Sequence, residues 1–95
     1  MSGPEVHIES YFSIETDLAQ SFREWSEFVK GEGYCVELQS DDGGLVLINL
    51  IQTDEERPLI LVKSDHEGEL FQRALGLTTY LLAGHSDCVM VHRRV

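Results

Sequence analysis

The stretch from Gly43 to Val62, GGLVLINLIQTDEERPLILV, decides the fold of this chain. It contains two apolar runs, Leu45 to Ile51 and Leu59 to Val62, with a polar segment between them. A strand with one solvated face alternates apolar and polar residues, but these runs are hydrophobic at nearly every position. The sequence therefore predicts two strands whose second face also needs cover, and it raises the question of what provides that cover.

Further strands are predicted on either side of this stretch. Glu5 to Phe12 and Tyr34 to Gln39 alternate apolar and polar residues, and Asp87 to Arg94 forms a last short strand. The SDDGG segment between the second and third strands favours the positive φ angles of a tight hairpin. The three central strands therefore form an antiparallel meander.

Two segments have the apolar period of a helix. Leu18, Phe22, Trp25 and Val29 recur at steps of four, three and four, which predicts a helix over Asp17 to Lys30. A second helix follows the capping-box spacing of Ser64 and Glu67 and ends at Gly84. Its apolar face comprises Leu70, Phe71, Ala74, Leu75, Thr78, Leu81 and Leu82. Gly76 inside it suggests close backbone packing or a kink.

The element order is thus β-α-β-β-β-α-β, an α+β fold with two helices on one face of a five-stranded mixed sheet. Ninety-five residues are enough for one small domain. We expect that domain to span residues 5–95, after a flexible N-terminus of residues 1–4. With both helices on one face, the other face of the sheet stays uncovered.

The polar residues of the strands predict which side chains occupy that open face. Asn49 would need a buried partner, so its alternate set, Val46, Ile48 and Leu50, is placed under the helices. The open face then carries an apolar stripe, bordered by Glu37, Gln39, Lys63, His7 and His92. The stripe consists of Leu45, Leu47, Ile51, Leu59 and Leu61. An apolar patch with a polar border is typical of a contact surface, whereas cover by Tyr11 or the C-terminal residues is the alternative.

The formal charge of −10 limits the classes of partner. It disfavours binding to nucleic acid or anionic lipid and favours a basic protein partner, although acidity also serves solubility or salt adaptation. No apolar run has the length of a membrane span, and the start MSGPEVHIES lacks the features of a secretory signal. We therefore expect a cytoplasmic protein whose two cysteines stay reduced.

Acidic residues follow the first, second and fourth predicted strands, which should end at one edge of the sheet. They are Glu15 and Asp17, then Asp41 and Asp42, then Asp65, Glu67 and Glu69. Such a rim could bind a divalent cation or a basic partner, but helix N-termini and turns also favour carboxylates for structural reasons. We take Asp41, Asp42, Asp65 and Glu67 as the acidic rim that faces a basic partner.

No residue pattern predicts catalysis, a cofactor or a metal. His85, Cys88 and His92 are zinc-capable, but one strand cannot aim them at one ion, and a fourth ligand is not evident. Cys35 and Cys88 lack the sequence context of a cysteine nucleophile, and His66 is read as a solvated loop residue.

From Leu18 onward, the predicted order of helix, three-stranded meander, helix and strand in a small acidic chain resembles that of type III secretion chaperones. That resemblance implies an acidic homodimer that holds effector segments in extended form. The order is equally similar to a ferredoxin-like sheet, which hosts ligand-binding domains, enzymes and adaptors.

The sequence thus predicts a non-enzymatic protein-protein interaction or adaptor protein that acts as a homodimer. The alternatives are a small-ligand-binding regulatory domain and a secretion-chaperone-like or nucleic-acid-mimicking inhibitor.

Overall fold

A computed structural model of the chain describes residues 3–10, 17–51, 59–84 and 88–94. These residues form one six-stranded sheet and one α-helix. The elements are β1 (Glu5–Ser10), β2 (Phe28–Glu32), β3 (Cys35–Gln39), β4 (Leu45–Ile51), β5 (Leu59–Ser64), α1 (Glu69–Ala83) and β6 (Val89–Arg94). The strand order is β2-β3-β4-β5-β1-β6, and every pair of neighbours is antiparallel.

The α+β class is confirmed, but the predicted five-stranded mixed sheet with two helices is wrong. The segment predicted as the first helix, Asp17 to Lys30, instead forms a short 3-10 helix over Leu18–Phe22, a turn, and the edge strand β2. The helix-strand order that resembled secretion chaperones is lost with this change. Phe12, the turn TDEERP and His85 lie outside the described residues.

Two glycines explain why this segment forms a hairpin. Gly33 has a φ of 61° in the turn between β2 and β3, where a side chain would be strained. A Cβ at Gly31 would lie 2.8 Å from the carbonyl oxygen of Cys35, so β2 approaches β3 only because this position has no side chain. Leu18 and Phe22 are still buried, whereas Val29, which shared their predicted helical face, is 48% exposed.

The predicted second helix is confirmed, although it begins later than expected. Ser64 is the last residue of β5, and its hydroxyl donates to the carbonyl oxygen of Leu45 at 2.9 Å, so the predicted capping box is absent. The helix α1 begins after Gly68 and is followed by Gly84. Gly76 is exposed, and a Cβ there would contact nothing within 4 Å, so close packing at Gly76 is not observed.

The side-chain parity predicted for the central strands is confirmed. Val46, Ile48, Ile60 and Val62 are at most 2% exposed and lie in the core with the buried side of α1. That side comprises Leu70, Phe71, Ala74, Thr78 and Leu82. The alternate residues of β4 and β5 lie on the opposite face. None of the helices in the described parts of the chain is long and apolar enough to cross a membrane.

Candidate functional site

The first candidate site is the sheet face opposite α1. Leu45, Leu47, Ile51 and Leu59 are half-buried on it, and Leu61 is 8% exposed. The strand register places Leu47 opposite Lys63 and Leu61 opposite Asn49, whereas Ile51 and Leu59 are direct partners across β4 and β5. Long polar side chains beside the leucines explain why the leucines are only half-exposed. The apolar stripe is therefore present but narrow, because polar residues lie opposite two of its leucines.

Polar side chains border this stripe on both sides. Glu37 lies opposite Leu47 on β3, and His7 lies opposite Leu61 on β1. His92 is in turn the register partner of His7. The Nε2 atom of His7 is 3.1 Å from a carboxylate oxygen of Glu5, so two polar side chains of β1 contact each other in this border. Tyr11 and Val95, which could have covered the stripe, lie outside the described residues.

The second candidate site lies at the end of the sheet where β3 turns into β4. The Ser40 N–H donates to the Gly44 carbonyl at 2.8 Å, and the Gly43 N–H donates back to Ser40 at 3.0 Å. Gly43 has a φ of 89°, which the predicted Gly-Gly turn requires. Asp42 closes the turn by accepting from the Gly44 N–H at 3.0 Å and from the Ser40 hydroxyl.

The turn is joined to the loop that leads from β5 into α1. The Leu45 N–H donates to a carboxylate oxygen of Asp65 at 3.2 Å, and the Asp65 N–H donates to the Leu45 carbonyl at 3.3 Å. The same Asp65 oxygen lies 2.8 Å from Nδ1 of His66. These bonds explain why two acidic segments that are about twenty residues apart in sequence form one end of the sheet.

A cleft of about 400 Å³ lies between this turn, the loop and the first turns of α1. We call it the acidic cleft, because four carboxylates line it against one arginine. The charged lining residues are Glu27, Asp41, Asp42, Glu69 and Arg73, and His66 also faces it. Apolar lining comes from Val46, Leu70 and Phe71. The cleft therefore has a negative surface with an apolar floor.

The arginine of the cleft is held by two contacts. An amino group of Arg73 donates to a Glu27 carboxylate oxygen at 3.0 Å, and its guanidinium carbon lies 4.5 Å from the centre of the Trp25 ring. The Gln39 N–H donates to the Glu27 carbonyl at 2.8 Å, which ties the turn before β2 to the end of β3. The charge of Arg73 is thus paired with Glu27, and the carboxylates of Asp41, Asp42 and Glu69 leave the cleft with a net negative charge.

Hydrogen bonds stabilise the charged form of three carboxyl groups at this end. The Ser40 hydroxyl and then the Gly44 N–H lower the pKa of Asp42. The His66 side chain and then the Leu45 N–H lower the pKa of Asp65. A backbone N–H and then Arg73 lower the pKa of Glu27. These groups stay ionised to a lower pH than unperturbed carboxyl groups.

The predicted rim is only partly assembled. Asp41 and Asp42 lie in the wall of the cleft, and Asp65 supports that wall through Leu45. Glu67 instead pairs with Arg93 of β6. Asp17 is at the other end of the sheet, because β1 runs antiparallel to β5 and the next residues bond to the Gly33 turn.

Glu15 lies outside the described residues. The cleft also contains two residues that sequence reasoning did not place in the rim, Glu27 and Arg73. Glu27 and Arg73 lie in two separate segments that the sequence predicts as helices, and only the fold of the segment before β2 brings them together.

The residues weighed for metal binding or catalysis do not come together where the structure describes them. Among the described histidine, cysteine and acidic residues, no group of three is placed to hold a metal ion. Cys35 and Cys88 are both exposed. His85 lies outside the described residues.

Comparison with protein-family models, with curated proteins and with solved structures finds no match to this chain. The functional argument therefore depends on the two surfaces alone.

Proposed function

We propose that this protein is a non-enzymatic adaptor that self-associates through the open sheet face and receives a basic segment of a partner in the acidic cleft. The observation that carries the proposal is the open face itself. The face opposite α1 presents Leu45, Leu47, Ile51 and Leu59 in the middle of the sheet, whereas Leu61 is buried there. An apolar stripe with a polar border fits a protein contact.

Self-association is supported by the form of the stripe. In a two-fold contact one patch meets its own copy, so a single apolar stripe supplies both sides. Four of the five stripe residues are half-buried already and Leu61 is only 8% exposed, which limits the apolar area that pairing removes from water. The contact is therefore of moderate strength, and the acidic cleft at the end of the sheet stays accessible in the pair.

The acidic cleft supports the choice of a basic partner. Its carboxylates face one arginine that already has two contacts, so the cleft has unbalanced negative charge. An arginine or lysine side chain entering the cleft would donate charge-assisted hydrogen bonds to Asp41, Asp42 or Glu69 and lay its stem on the apolar floor. The net charge of −10 would also speed the approach of a basic partner.

A binding assay with a short arginine-rich peptide tests the cleft. The variant Asp41→Asn with Asp42→Asn removes two cleft charges, and the matched control Glu24→Gln with Glu32→Gln removes two exposed charges elsewhere. Each exposed ion pair contributes about 0.2–1 kcal/mol, so the cleft variant should weaken binding about two- to thirtyfold. Binding should also slow as the salt concentration rises.

The control variant should bind nearly as well as the wild type. An equal loss of affinity in both variants would mean that overall acidity attracts the peptide and that the cleft has no special part.

A second candidate function is supported by the size and lining of the cleft. A volume of about 400 Å³ with mixed polar and apolar walls lies within the range of small-ligand pockets. A small cationic metabolite is the ligand that its charge would favour. A saturable thermal shift with arginine or spermidine, lost in the Asp41→Asn and Asp42→Asn variant, would favour the regulatory-domain function over the adaptor.

A further inference from the structure

One wall of the acidic cleft already binds a guanidinium group, and that group belongs to this chain. The guanidinium carbon of Arg73 lies 4.5 Å from the centre of the Trp25 ring. An amino group of the same side chain donates to a Glu27 carboxylate oxygen at 3.0 Å. An aromatic face attracts the planar cation, and a carboxylate accepts its N–H groups. The contact therefore shows which ligand chemistry this wall accepts.

Trp25 and Glu27 are held in place by contacts that do not involve Arg73. The Trp25 N–H donates to the Phe22 carbonyl at 3.0 Å. The rings of these two residues meet edge to face with their centres 4.9 Å apart, and Phe22 is fully buried. The Gln39 N–H donates to the Glu27 carbonyl at 2.8 Å. The ring and the carboxylate therefore keep their places when Arg73 moves away.

Arg73 itself is held weakly and has a second partner within reach. Its side chain is 43% exposed and that of Glu27 is 20% exposed, and exposed ion pairs add little to stability. Glu69 lies four residues before Arg73 in α1 and also lines the cleft. Side chains at this spacing meet on a helix surface, and an acidic residue before a basic one is the favourable order. Arg73 can therefore leave the Trp25 ring and pair with Glu69.

We propose that Trp25 and Glu27 form a guanidinium-binding subsite of the acidic cleft, which Arg73 fills in the free protein and an arginine of the partner fills in the complex. This inference rests on the proposed function of the cleft and names the side chain that the cleft recognises. Arg73 lowers the affinity for the partner, because the incoming arginine must displace it. The subsite favours arginine over lysine, since an ammonium group lacks the planar face that stacks on an indole ring.

The nuclear magnetic resonance signal of the Trp25 indole N–H tests the subsite without a partner protein. Trp25 is the only tryptophan of the chain, so this signal is identified directly. The probes are N-acetyl-arginine amide and N-acetyl-lysine amide, which carry the same charge, at constant ionic strength. The arginine probe should bind Arg73→Ala about three- to thirtyfold more tightly than the wild type, because one cation–π contact and one ion pair no longer compete. The lysine probe should gain less.

Arg23→Ala is the matched control for the loss of one positive charge. Arg23 pairs with Asp17 at 3.5 Å, and its side chain is 48% exposed, but this pair lies at the other end of the sheet. The control should bind the arginine probe as the wild type does, and adding Glu27→Gln to Arg73→Ala should remove the gain. An equal gain in Arg73→Ala and Arg23→Ala would overturn the subsite, as would a lysine probe that gains as much as the arginine probe.

The arginine-rich peptide of the cleft assay separates this inference from the proposed function. The peptide should bind Arg73→Ala about three- to thirtyfold more tightly than the wild type. Peptide binding without this gain would overturn the subsite and leave the adaptor function standing. Probe binding at Trp25 without any peptide binding would overturn the adaptor function alone. Circular dichroism checks that each variant is folded, and Arg73→Gln replaces Arg73→Ala if the alanine variant is unfolded.

Discussion

Two adjacent residues of β4, Ile48 and Leu47, give a direct test of which sheet face is the core of one chain. Ile48 is 0% exposed under α1, whereas Leu47 is half-buried on the open face. Replacing a fully buried isoleucine with alanine loses transfer free energy and leaves a cavity, so Ile48→Ala should lower the free energy of unfolding by about 3–5 kcal/mol. Leu47→Ala loses part of one side chain's burial, and should cost about 1 kcal/mol in the monomer.

Urea denaturation measured at low and at high protein concentration separates the two effects. The loss for Ile48→Ala should be the same at both concentrations, because that residue contacts only its own chain. The loss for Leu47→Ala should grow at high concentration, because the wild type gains stability from self-association and the variant gains less. A Leu47→Ala loss as large as that of Ile48→Ala at low concentration would refute the reasoning, since the open face would then be covered within one chain.

Three further predictions concern the acidic end of the sheet, the helix α1 and the turn before β4. The lowered pKa values of Asp42 and Asp65 mean that the unfolded chain binds protons first as pH falls, so their stabilisation is complete above about pH 4 and is lost below it. Thermal unfolding of a protein with both Asp→Asn changes should depend less on pH in that acid range, and an unchanged acid dependence would contradict the role of these bonds. Gly76→Ala should raise the free energy of unfolding by about 0.5–1 kcal/mol, because this exposed helical glycine has open space beside it. Gly43→Ala should lower it by about 1 kcal/mol because of its positive φ; urea denaturation checks both signs, and the same sign for both would contradict the backbone argument.

The central strands and α1 could be predicted because their patterns are local and each has one interpretation. Alternation around Asn49 fixed which side of β4 is buried, and the apolar face of α1 fixed its packing side. The segment before β2 could not be predicted in this way. The spacing of Leu18 and Phe22 fits a helix, and the structure buries both residues, but in a short 3-10 helix that docks on the hairpin through the Ala19 N–H and the Gly33 carbonyl.

The sequence predicted only part of the acidic cleft, namely the acidic residues of the turn before β4 and of the loop after β5. The turn at Asp41 and Asp42 and the loop after β5 meet because β3 and β5, which flank β4 on opposite sides, both end beside its first residues. The strand β1 was assigned the wrong direction, so Asp17 was placed at the wrong end of the sheet. Glu27 reaches the cleft through tertiary contacts with Gln39 and Arg73, for which the sequence gives no periodic signal.

The most direct test of the adaptor proposal is the mass of the protein by light scattering at low micromolar concentration, for the wild type and for Leu47→Glu. Tyr80→Glu is the control, because it adds the same charge at a side chain of α1 that is 75% exposed. The proposal predicts a wild-type dimer, a dimeric Tyr80→Glu control and a folded Leu47→Glu monomer, since a charge cannot be buried in a dry sheet contact without large cost. A monomeric wild type, or a Leu47→Glu protein that stays dimeric at this concentration, would contradict it.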